Sequence, residues 1–182
     1  MKNVLIGGIG SVLLGDDAVG PYVAQLLAAY YEFEPGVEVI DLGTPALDLV
    51  NRISARDAVI LIDCIDTQAD PGTVLVYRKE DVMRHSPGVR MDPHSPALVE
   101  TLLAADFLGV GPPEVLLVGV VAKSFEAGND LSAPVKSAVA QAITRILAEL
   151  DRLGVAYKLR ERPLDPGIWW ASRRQISAVT AD

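Results

Sequence analysis

Two rhythms of apolar positions alternate along the chain. The runs NVLIG (3–7), VEVIDL (37–42), AVILIDC (58–64), TVLVY (73–77) and EVLLVGVV (114–121) are nearly continuous in Val, Ile and Leu. Strands covered on both faces have this pattern, which points to a mainly parallel sheet. Between them, segments 18–31, 45–54, about 95–107 and 134–153 carry apolar residues at helical spacing. The last is the clearest: Val135, Val139, Ala142, Ile143, Ile146, Leu147 and Leu150 form one stripe, with Pro134 near its start and Gly154 just past its end. Alternation of this kind predicts an α/β fold of three layers, a twisted and mostly parallel sheet with helices on both faces. The expected domain is 1–154. Residues 155–182, with both tryptophans and five Lys/Arg against three acids, are expected to form an irregular C-terminal tail. That tail either wraps the domain and buries the tryptophans or offers a partner an aromatic docking segment.

Composition narrows the chemistry. A length of 182 residues suits one domain with a sizeable core. The formal net charge of -8 disfavours nucleic acid or an anionic membrane as partner. A single cysteine, Cys64, excludes an internal disulfide and suits a reducing compartment. No apolar run reaches the roughly 18 residues that span a bilayer. The opening MKNVLIGGIGSVLLG is interrupted by four glycines and ends at Asp16-Asp17, so a buried first strand and its turn fits better than a signal peptide. A cytoplasmic protein is expected.

The turn after that strand resembles a phosphate loop only at its start. Gly8 and Gly10 supply two glycines of G-x-G-x-x-G, but Leu13 holds the third position and no G-K-[ST] follows. Asp16 and Asp17 then arrive where a helix should begin, and a phosphate there would meet two negative charges. One of the acids can cap the helix. The other can face the crevice beyond the strand ends, where open α/β sheets bind ligands. Asp63 ends the most apolar strand, where a carboxylate is desolvated unless paired or bound to a cation, or else caps the turn that follows. Asp41 occupies the equivalent place on the second strand. In MDPHSPAL (91–98), prolines bracket His94, whereas His85 follows a charged stretch and is expected to be exposed. Two carboxylates and an imidazole would make an open O₂N site suited to Ni²⁺, Zn²⁺ or Fe²⁺. There is no H-E-x-x-H helix, no G-x-S-x-G elbow, and Cys64 sits within a strand, where it is expected to be buried.

Taken in order, GIGSVLLGDDAVG, DLGTPALDLV, LIDCID with PGTV, PHSPAL, LLVGVVAKSFE and GNDLSAPV resemble the hydrogenase maturation proteases over about residues 3–153. The resemblance implies an endopeptidase that removes a C-terminal peptide from the nickel-loaded [NiFe] hydrogenase large-subunit precursor. It implies nickel recognised in that precursor, with other divalent ions able to substitute in vitro. It assigns Asp17, Asp63 and His94 as catalytic residues and nickel ligands, with Asp16 as the helix cap. It assigns Asp41, Gly43 and Thr44, in DLGT, to substrate recognition. Two departures from the family pattern fall in the first loop: Ser11 stands where asparagine is usual, and GGIGS replaces a segment nearer GxGN. The same three ligands would equally serve a nickel-binding checkpoint or chaperone that docks the precursor without cutting it.

Overall fold

The computed structural model describes residues 1–45, 48–85, 98–128 and 130–170. Its main sheet has five strands: β1 (Val4–Ile9), β3 (Val37–Gly43), β4 (Ala58–Ile65), β5 (Val74–Arg78) and β6 (Glu114–Val121). Their order is β3-β1-β4-β6-β5. The pairs β1/β3, β1/β4 and β4/β6 are parallel, and only the edge strand β5 runs antiparallel to β6. Every residue of β1 and β4 is buried. That explains their unbroken apolar runs, because both faces of each strand are covered.

The helices are α1 (Val19–Tyr30), α2 (Asp48–Ile53), α3 (Lys79–His85), α4 (Leu98–Phe107) and α5 (Ala133–Leu153). On one face of the sheet, Ile6, Ile60 and Val118 pack with Tyr22, Leu26, Val139 and Ile146 of α1 and α5. On the other face, Leu5, Leu61 and Leu117 pack with Leu49, Val82 and Leu102 of α2, α3 and α4. The layered fold expected from the alternating rhythms is therefore present. The stripe on α5 is buried at Val135, Val139, Ala142, Ile146 and Leu150, and Gly154 ends the helix in the left-handed conformation, φ 70°.

Three elements went unforeseen. Helix α3 is too short and charged to show a period. Strands β2 (Tyr31–Phe33) and β7 (Tyr157–Leu159) form a separate antiparallel pair. The tail expected to be irregular from residue 155 is thus corrected: its first part forms a strand paired with β2, which directly follows α1. Ile168 and Trp170 then enter the core, while Trp169 stays exposed. Residues 171–182 lie outside the described residues. No helix among the described residues is long and apolar enough to cross a membrane.

The topology fixes where a ligand can sit. From β1 the chain passes through α1 to β3 on one side, and then through α2 to β4 on the other. The strand order therefore reverses at β1, and the carboxyl ends of β1 and β4 flank the crevice where open α/β sheets place their ligands.

Candidate functional site: an acid pair at the switch point

Small residues set the position of the first acid. A Cβ added to Gly8 would lie 2.2 Å from the carbonyl oxygen of Gly20, and one added to Gly20 would lie 2.1 Å from that of Ile9. The first turn of α1 thus rests directly on the backbone of β1. Gly10, at φ +133°, turns the chain out of the strand, and a Cβ there would meet the Asp17 carbonyl oxygen at 1.9 Å. These glycines serve close packing, not phosphate binding. The residues between them form a 3-10 turn, Gly15–Ala18, which buries Asp16 and Asp17.

The two neighbours have different surroundings. Asp17 accepts the Ser11 backbone N–H on Oδ2 at 2.7 Å. Asp16 accepts the backbone N–H groups of Lys123 at 2.8 Å, Ser124 at 3.1 Å and Ser132 at 2.7 Å, and the Ser132 hydroxyl at 2.9 Å. The expectation that Asp16 caps its own helix is corrected, since no side chain caps either the 3-10 turn or α1. Asp16 reaches instead to the loop between β6 and α5. Ser11 enters through its backbone, and its hydroxyl accepts only a long 3.4 Å bond from the Leu13 N–H.

Asp63 lies in β4 beside Gly119 of β6 and is 0% exposed. Its Oδ1 accepts the Cys64 N–H at 2.7 Å, whereas Oδ2 is buried with no hydrogen-bond partner among the described residues. Burial, and then the negative charge of Asp17, push the Asp63 carboxyl well above its usual range. Asp63 is not the cap of an exposed turn. A buried acid with an orphaned oxygen among the described residues, beside the charge of a second acid at the switch point, is suited to a cation. Among the described residues no third His, Cys, Asp or Glu completes a three-ligand cluster. His94 lies outside the described residues, as does the side chain of His85.

Asp41, Gly43 and Thr44 end β3 on the same edge of the sheet. Asp41 Oδ1 accepts the Gly43 N–H at 2.8 Å, and the Gly43 carbonyl accepts the Gly10 N–H at 2.8 Å, tying this turn to the first loop. Thr44 is exposed. Cys64 is fully buried, and burial with the neighbouring acids raises its thiol pKa, which disfavours the thiolate a nucleophile needs. The residues missed from sequence are Lys123, Ser124 and Ser132, which bind Asp16. Their segments, VVAKSFE and NDLSAPV, stand out in the sequence, but backbone donors carry no signal in residue type.

A doubly wound α/β protein with carboxylates at its switch point, and no phosphate loop, is the class defined by this geometry. A sequence model of the hydrogenase maturation protease family matches residues 21–149, a stretch that holds Asp63 and begins just after Asp17. The chain is 36% identical over 160 residues to the hydrogenase expression/formation protein HupM of Azotobacter chroococcum mcd 1, covering 87% of this chain and 77% of that protein. It is 32% identical over 160 residues to the hydrogenase 2 maturation protease of Escherichia coli (strain K12), covering 87% of this chain and 97% of the other. In structure it is similar to the hydrogenase maturating endopeptidase HybD from E. coli, with a TM-score of 0.79 and 31% identity, over 88% of this chain and 98% of that one. The [NiFe] hydrogenase maturation protease HybD from Thermococcus kodakarensis aligns with a TM-score of 0.63 and 28% identity, over 82% and 99%. The chain belongs to the hydrogenase maturation protease family, and it is a hydrolase acting on peptide bonds.

Proposed function

We propose that this protein removes a C-terminal peptide from a [NiFe] hydrogenase large-subunit precursor once nickel has been inserted. The observation that carries this is the Asp63 carboxylate, fully buried, with Oδ2 unpartnered among the described residues and the Asp17 charge beside it. An ionised carboxylate held this way costs several kcal/mol unless a proton or a cation arrives. In the free protein burial and the charge of Asp17 raise the proton affinity of Asp63. A precursor that brings nickel on its own thiolates supplies the cation that Asp63 lacks, and Asp17 supplies a second oxygen. His94 is the third donor in this reading. Asp41, Gly43 and Thr44, at the end of β3, contact the precursor chain alongside. The metal belongs to the substrate and acts as template and checkpoint, so the peptide bond is presented for hydrolysis only when nickel is in place.

The test mixes the purified protein with nickel-loaded and nickel-free precursor and weighs the products by intact-mass spectrometry. Loss of a short C-terminal peptide from the loaded form alone is the expected result. Cleavage of both forms would remove the metal from the mechanism. Stable binding with no mass change would make the protein a docking checkpoint.

A further inference from the structure

Asp16 is 1% exposed, yet it contributes nothing to the cap of its own helix. All four of its donors come from one segment on the far side of the crevice, residues 123–132. The backbone repeats the connection. The Asp16 N–H donates to the Ser124 carbonyl at 3.3 Å, the Gly15 N–H to that of Gly128 at 2.8 Å, and the Gly128 N–H to that of Leu13 at 3.0 Å. The loop after β1 and the loop between β6 and α5 therefore form one bonded unit. A carboxylate is the side chain suited to join them, because both of its oxygens accept and neither donates: Oδ2 takes three of the donors and Oδ1 the fourth. Asparagine would present an amide N–H₂ to a backbone N–H, and alanine would leave all four donors without the acceptor.

Asp17 follows Asp16 within the same 3-10 turn, and its Oδ2 holds the Ser11 N–H. The two carboxylates therefore share one short turn, and the bonds that hold Asp16 also hold the backbone that carries Asp17. We propose that Asp16 is a positioning residue for cleavage: it pins the first loop to the β6–α5 loop, which keeps Asp17 in register with Asp63. This rests on the reading of Asp17 and Asp63 as the pair that meets the nickel of the precursor.

Two variants of the full chain test it. Asp16→Ala removes the acceptor. Ser132→Pro removes two donors while leaving Asp16 in place, and the φ of -60° at Ser132 already suits proline. Amide hydrogen exchange reads the loops, and initial rates over a range of nickel-loaded precursor concentrations separate kcat from KM. In Asp16→Ala, exchange rises at Ser11, Lys123, Ser124 and Ser132, while Val59 and Leu117 in the sheet keep wild-type protection. The kcat falls by about 10- to 100-fold, the scale of a displacement of about 1 Å in a reacting group, and KM stays within about twofold. In Ser132→Pro the same direction appears at Ser11 and in kcat, with a smaller amplitude.

An Asp16→Ala protein that exchanges freely at Lys123 and Ser124, yet keeps Ser11 protected and kcat unchanged, overturns the positioning role. Should Asp16→Ala lose the core amides as well, Ser132→Pro decides: wild-type protection at Ser11 with wild-type kcat overturns it. A wild-type protein that leaves the nickel-loaded precursor uncut overturns the functional reading itself, a result distinct from an active wild type with a silent Asp16→Ala.

Discussion

Asp63 and Glu149 are both buried carboxylates, and they lie toward opposite ends of the sheet. Glu149, on α5, faces the amino end of β6. Arg78 holds it with two parallel bonds of 2.8 and 2.9 Å, and the Arg152 Nη2 adds a third at 2.8 Å. Arg152 also reaches Glu114 at 2.7 Å. Burial alone would raise the Glu149 carboxyl, but the hydrogen bonds from Arg78 and Arg152 outweigh it and hold the group below its usual range. At the carboxyl end, burial and the charge of Asp17 act on Asp63 in one direction, and among the described residues no cation opposes them. The first carboxylate ties a helix to the sheet. The second is a buried acid with a perturbed pKa and an oxygen unpartnered among the described residues, the pattern that marks a candidate functional position.

The contrast can be broken by substitution. If Asp63 meets the nickel of the precursor as proposed, Asp63→Ala lowers cleavage of the nickel-loaded precursor by more than about 100-fold. Asp63→Asn should be as inactive, while urea unfolding at pH 7 shows it more stable by about 1–2 kcal/mol, because a buried charge is gone. An inactive but destabilised Asp63→Asn would place this acid with Glu149 as a structural residue. Glu149→Ala should do the reverse. It loses about 2 kcal/mol of stability, the scale of hydrogen bonds to a charged group, and it keeps wild-type kcat per folded molecule.

A pH series sharpens the same comparison, because the two shifts have opposite signs. Glu149 is depressed when folded, so its contribution is full above the ordinary carboxylate range and is lost as pH falls through its native value. Asp63 is raised when folded, so its contribution is full below the ordinary range and declines as pH climbs toward its native value. Unfolding free energies from pH 3 to 8 should therefore show Glu149→Gln flattening the acid limb and Asp63→Asn lifting the neutral limb. The smallest effect is expected at Glu114→Gln. Glu114 and Arg152 are 45% and 43% exposed, and the loss should stay below about 1 kcal/mol in the same urea titration.

Much of this arrangement was legible in the chain. The unbroken Val-Ile-Leu runs gave β1, β4 and β6 because both faces of these strands are covered, and the stripe on α5 gave a helix that packs along one side. Helix α3 was missed because seven residues with three consecutive charged positions at their start, Lys79, Glu80 and Asp81, have no amphipathic period to detect. Strands β2 and β7 were missed because three residues each lie below the length at which alternation is visible, and their pairing spans most of the chain. At the site, the acid pair after β1 and Asp63 near the end of β4 stood out in the sequence, and the resemblance chose Asp17 over Asp16. The service of Asp16 was not, because its partners are mostly backbone amides, which every residue type carries.

The parallel pairing of β1 with β4 has a consequence for the history of each molecule. Asp17 lies in the turn that follows β1 and Asp63 lies in β4, strands that touch only after the chain has gone out to β3 and crossed back, a contact between distant segments that forms slowly. Until then the two carboxylates are ordinary, solvated and independent. A nascent or unfolded chain consequently lacks the acid pair, which is acquired together with the native topology.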